Sequence, residues 1–180
     1  HSGSSQHFFL LDEFYRSAIR LAGKRLLWLH LTDEQYQQRY QLPEIDMQAW
    51  VDFGDFSALS TAEFFGASLW QLYKGIESPY KSAIKILLLE SYAQTYPETK
   101  LISKQFKQKL LDNKTEHYHF DPYLAMLEQV TDYLKDRKEL SRLDRLRQCF
   151  YLKAKEGKVL YNWRERELQA LIKHWGWNAQ

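Results

Sequence analysis

The sequence predicts a mostly α-helical protein, in which one helix and one strand resembling the end of an α/β unit precede an all-helical remainder of five or six helices. Three observations carry this. Glycine and proline are scarce, at 7 and 4 of 180 residues, which favours helices joined by short loops. Apolar residues recur at the 3.6-residue spacing of an amphipathic helix through much of the chain. Two steps, Ser78-Pro79 and Asp121-Pro122, combine a capping side chain with the proline that suits a first helical position.

The elements follow in order. Phe8, Leu11, Phe14, Tyr15, Ala18, Ile19 and Ala22 give the first helix its face, and Gly23 is its natural stop. "RLLWLHL", Arg25 to Leu31, is short and apolar around a Trp and reads as a strand. Thr32 to Tyr40 suits a short polar helix. A linker with a helical turn near Asp46 to Val51 comes next. Ser60-Thr61-Ala62-Glu63 has the capping-box pattern and starts a helix running to about Glu77. Ser78-Pro79 restarts the chain as helix to about Tyr96, before Pro97. Leu101 to Asp112, Tyr123 to Asp136 and Leu140 to Lys155 are further helices, and Asn162 caps a last one through Trp175. The domain boundaries expected are 1–31, an incomplete α/β core, 32–59, a linker, and 60–180, a helical domain.

Composition excludes several classes. Apolar residues make up 44% and charged residues 27%, too apolar for a disordered chain. The net charge of +2 is too mild to imply nucleic acid as a partner. A lone Cys149 excludes a disulfide framework and fits a cytoplasmic protein. Apolar runs such as Ile86 to Leu89 are far short of the roughly 18 residues of a membrane span. No signal peptide is visible, and the start at His1-Ser2-Gly3 leads us to expect a piece of a longer protein.

Several constellations admit both a structural and a functional reading. Arg16, Arg20 and Lys24 step by four; they form either an ion-pair ladder with Asp12 or a cationic edge for a ligand. Lys74, Lys81 and Lys85, near Tyr73 and Tyr80, form either a solvated face opposite the Leu69, Leu72, Ile76 and Ile84, Leu87, Leu88 stripes or ammonium groups converging on phosphate. Asp121 in "HFDPY" is most simply a helix N-cap. His117 and His119 lack companions at metal-ligand spacing, so no metal site is expected from them. Cys149 reads as a structural thiol. The run Lys135 to Arg147 holds six basic and three acidic residues, a solvated face or, in an alternative reading, the surface of a helical regulatory module contacting nucleic acid.

"SSQHFFLLDEFYRSAIRLAGKRLLW" and "EFFGASLWQLYKGIESPYKSAIKILLLESY" resemble the class I adenylate cyclases of gammaproteobacteria, as do "HFDPYLAMLEQVTDYL", "RLDRLRQCFYLKA" and "LQALIKHWGW". The block Glu63 to Lys74 is close to the family's signature, whereas the match loosens at 33–47 and 156–162. The resemblance implies conversion of ATP to 3′,5′-cyclic AMP and pyrophosphate by a nucleotidyltransferase-like catalytic half. This chain lacks the joined Gly-Ser–Asp-x-Asp segment and the third carboxylate strand that hold the metals in that fold, so Mg2+ is expected on carboxylates outside it. Implied partners are ATP and the rest of the same polypeptide, an upstream catalytic core and a downstream regulatory region; the fragment alone is expected to be inactive. A sister nucleotidyltransferase is a further alternative. The residues implied are Arg16 and Lys24 as catalytic, Lys74, Lys81 and Tyr80 (or Tyr73) as nucleotide-binding, and Asp121 as regulatory. An exposed apolar patch is expected where the missing core would pack.

Overall fold

The computed structural model describes residues 7–17, 20–21, 23–42, 48–56, 60–114, 120–156 and 162–177. Helix α1 (His7–Ser17) leads into strands β1 (Arg20–Leu21) and β2 (Lys24–Leu26), joined by a turn in which Gly23 takes a φ of +80°. That left-handed conformation strains any residue with a Cβ. β2 pairs antiparallel with β1 and parallel with β3 (Trp50–Val51), in the order β1-β2-β3. Between β2 and β3 lie α2 (Leu27–His30), α3 (Asp33–Gln37) and a 3-10 turn at Arg39–Gln41. The remainder is helical: α4 (Thr61–Lys74), α5 (Pro79–Gln94), α6 (Ile102–Leu111), α7 (Pro122–Asp136), α8 (Leu140–Lys155) and α9 (Asn162–His174).

The described residues are thus mostly α-helical, with corrections near the N-terminal end. The expected strand from Arg25 to Leu31 is strand only to Leu26 and helix from Leu27 to His30. Leu27, Trp28 and Leu29 are all buried. Such a run has no polar alternation to mark a strand, and its first residues alone find a sheet partner. The first helix ends at Ser17, five residues short of the expected face; Ala18, Ile19 and Ala22 lie outside the described residues. Of the helical turn expected near Asp46 to Val51, Trp50 and Val51 are strand, and 46–47 lie outside the described residues.

Two apolar clusters form the interior. The larger joins α5, α6, α7 and α8 through residues such as Ile84, Leu88, Phe106, Val130, Leu134 and Leu146. The smaller gathers Leu11, Tyr15, Leu26, Leu27, Trp28 and Tyr36 around the sheet. α1 has a foot in each, with Phe9 in the larger cluster and Leu11 and Tyr15 in the smaller. α6 bridges them as well: Phe106 lies in the larger cluster, Leu110 packs on the smaller, and Lys107 bonds Asp33 while lying 4.5 Å over the Trp28 ring.

α4 departs from its expected orientation. Its buried residues are Ala67 and Gln71, while Leu69, Leu72 and, in the following turn, Ile76 are exposed. The apolar stripe expected to face the core therefore faces outward.

Candidate functional site

Asp12 and Arg16, four residues apart, share one side of α1, and Glu13, three before Arg16, lies on the adjoining side; between them they meet α5 and α6. The Asp12 carboxylate is 1% exposed, a position that water cannot stabilise, and protein donors replace it. It accepts from Arg16 Nη1 at 3.1 Å, Tyr92 Oη at 3.0 Å, the Ser103 amide at 3.1 Å and Ser103 Oγ at 2.5 Å. The Tyr92 oxygen in turn accepts from the Ile102 amide at 3.0 Å, one of the donors that the start of α6 leaves without an intrahelical partner. Burial, with the Asp12 charge beside it, pushes the Tyr92 phenol far above its ordinary value.

Glu13 turns to the adjoining side, where the Lys85 ammonium bonds it and Arg16 Nη2 stands 3.8 Å away. Together Asp12, Glu13, Arg16, Lys85, Trp70 and Gln71 border a cleft between α1, α4 and α5. It is a shallow depression, about 420 Å³ of space between atoms with open solvent included, and Phe9, Leu88 and Leu89 line its apolar part.

The charges that border the cleft balance, Arg16 and Lys85 against Asp12 and Glu13, and Lys81 adds a positive charge from nearby. Burial alone would push the Glu13 carboxyl up, but Lys85, Arg16 and Lys81 outweigh it and hold the group below its usual range. Burial pulls the Lys85 ammonium down, and Arg16 and Lys81 add to that pull against the opposing Glu13 charge. Arg16 is held above its usual value because Asp12, Tyr92 and Glu13 outweigh its burial. The two shifts have different leading causes: neighbouring cations overcome burial at Glu13, whereas burial itself leads at Lys85.

Arg16 lines this cleft, and Lys81 lies within electrostatic range of its Glu13 and Lys85. Lys24, Lys74 and Tyr80 do not line it. Lys24 is exposed on β2. Lys74 pairs with Glu77 at 3.3 Å and lies 5.4 Å from the centre of the Trp70 ring, which stacks on Tyr73 with centroids 5.7 Å apart. Of the lysine series, Lys85 is the one that borders the cleft; its place four residues after Lys81 was the available signal. Nothing local marks Glu13 or Tyr92, whose partners lie 72 and 80 residues away in sequence.

Asp121 caps α7, accepting from the amides of Tyr123 at 2.9 Å and Leu124 at 3.0 Å. Its second oxygen takes Arg164 of α9, with Nε at 2.8 Å and Nη2 at 2.7 Å. Within the basic run, Arg142 bonds Glu90 and Glu139, and Arg137 bonds Glu139. Burial raises the Cys149 thiol, away from nucleophilic use. His117 and His119 lie outside the described residues. Among the described residues no group of three or more His, Cys, Asp and Glu could hold a metal ion, and no helix is long and apolar enough to cross a membrane.

Residues 59–180 match the family described as adenylate cyclase, class-I, second domain, and residues 1–29 match the adenylate cyclase NT domain. The adenylate cyclase of Pasteurella multocida (strain Pm70) is 54% identical over 98% of this chain, and that of Haemophilus influenzae (strain Rd) 52% over 99%. The Escherichia coli (strain K12) adenylate cyclase is 46% identical over 98% of the chain. The chain spans only 22–23% of the length of these relatives. No solved structure matches it.

Proposed function

Because the chain belongs to the class I adenylate cyclase family, we propose that it is part of an enzyme converting ATP to 3′,5′-cyclic AMP and pyrophosphate, and that the α1–α4–α5 cleft receives the phosphate end of ATP. The observation that carries this is the placement of two buried cations, Arg16 and Lys85, on the border of one cleft, with Lys81 in electrostatic range of it.

In the reaction the ribose 3′-oxygen attacks the α-phosphorus and the bond to pyrophosphate breaks. Negative charge grows on the leaving group. Lys and Arg donors fixed in a water-poor cleft neutralise it without having to reorganise. Arg16, immobilised by Asp12, is suited to that task, and Lys85 joins it by exchanging Glu13 for a phosphate oxygen. Lys81 supplies longer-range attraction. Lys24, Lys74 and Tyr80 are proposed as outer contacts of the nucleotide, and Asp121 as an influence on activity from outside the cleft. The described residues do not fit a metal site, so Mg2+, in this reading, sits on carboxylates elsewhere in the polypeptide. The remaining partners proposed are the upstream core and a downstream regulatory region, in the cytoplasm.

Two variants of the full-length enzyme test this. Lys85→Met lowers kcat/KM for ATP roughly a hundredfold, the usual cost of one lost contact to developing charge. Glu13→Gln, which breaks the same ion pair from its other side, leaves kcat/KM unchanged or lowers KM. Equal losses in both variants would make the pair a structural brace and reject the phosphate role. A thermal melt of each variant confirms that it is folded.

A further inference from the structure

α4 and the turn after it carry Phe65, Leu69, Leu72, Tyr73 and Ile76 at 70%, 50%, 61%, 60% and 81% exposure. At 100° per residue these five fall within about 100° of arc, opposite the face through Ala67 and Gln71 that packs inward. Single exposed apolar residues are ordinary, but a full helical face of them marks an interaction surface. We infer that this face is the seat of the remainder of the N-terminal domain, in the stretch of polypeptide that precedes residue 1 in the family's full-length members.

Three observations select that occupant. Only residues 1–29 match the N-terminal domain, too few to form a domain on their own, so most of that domain lies before them. More than three quarters of each relative's length lies outside the region this chain spans. The apolar face is also continuous with a contact that the N-terminal domain already makes. α1, which lies within residues 1–29, packs on the inward side of α4, with the Phe9 and Phe64 rings 4.9 Å apart, and the exposed face is reached from there along Trp70, which stacks on Tyr73. Leu10, 52% exposed on α1, borders the same cleft as Trp70 of α4. A domain growing outward from α1 past Leu10 and Trp70 would come to the exposed face of α4 next. The inference rests on family membership and not on the chemistry of the cleft.

The test places the photo-crosslinking residue p-benzoylphenylalanine at position 72 or 76 of the full-length polypeptide, with peptide mapping of the product. Crosslinks to peptides preceding residue 1 of this numbering are expected. Crosslinks to peptides following residue 180, crosslinks between two copies, or no crosslink would each overturn the inference. Alkylation gives a second readout. With the labelled site identified by peptide mapping, Ile76→Cys reacts at least tenfold more slowly than Leu140→Cys, which is on an exposed site of α8 (68% exposed). Equal rates would count against burial of the face. Activity enters neither readout, so failure of the phosphate reading leaves this result standing.

Discussion

Glu13 and Lys85 both make stability rise with pH, in separate windows. The carboxyl of Glu13 titrates lower in the folded state than its ordinary 4.5. Its stabilisation is therefore complete above the unfolded value and disappears as pH falls through the folded one. The ammonium of Lys85 also titrates lower when folded than its ordinary 10.5. The unfolded chain then holds more protons between the folded value and 10.5, and stability rises with pH across that window. Urea midpoints measured from pH 3 to 6 should fall less steeply in Glu13→Gln than in the parent, and the alkaline rise should vanish in Lys85→Met. Parallel curves for parent and Glu13→Gln would mean that the carboxyl gains nothing from its neighbours. This ion pair was not legible in the sequence, where Glu13 looks like any exposed residue of an amphipathic helix. Only the packing of α5 on α1 brings Lys85 to it.

At the scale of elements, Asp121 does two separable things. One oxygen satisfies the first amides of α7, and the other anchors Arg164 and hence α9. Asp121→Asn keeps a cap acceptor and loses the charge pair, whereas Asp121→Ala loses both. The alanine variant should cost about 1 kcal/mol for the cap beyond whatever asparagine costs. Chemical denaturation of both variants measures the difference; identical costs would show that the cap contributes nothing. The Asp-Pro step made this helix start readable in the sequence, because a carboxylate and a fixed φ are local properties. Leu140 to Lys155 was readable for a similar reason, its apolar period being unbroken. Other devices were not. Ser60 precedes α4 as predicted, but its side chain makes no capping bond. The reciprocal capping box forms at Thr32 and Gln35 instead, where glutamine reaches the Thr32 amide at 2.9 Å. α4 shows the deeper limit: periodicity says that a helix has an apolar face, and not which neighbour covers it.

At the scale of the molecule, the question is whether the sheet-bearing end and the helical body unfold together. Asp12 reaches from α1 to Tyr92 of α5 and Ser103 of α6, and it neutralises Arg16 in a dry setting. Asp12→Ala leaves that guanidinium buried without its carboxylate, a change that typically costs about 3–5 kcal/mol. Since a domain's whole stability is about 5–15 kcal/mol, the variant should sit near the threshold of unfolding. Asp12→Leu combined with Arg16→Leu should recover only the part owed to the unpaired guanidinium, because Tyr92 Oη and both Ser103 donors still lose their acceptor. The transition itself should remain single. α6 holds both clusters without Asp12, through Leu110 against the smaller and Phe106 in the larger, with Lys107 on Asp33 and Trp28. Hydrogen exchange at residues 26–29 and 127–134 reads this directly. In Asp12→Ala the opening free energies of both segments should fall by the same amount. If residues 26–29 opened alone, the carboxylate and not α6 would be the joint between the two ends.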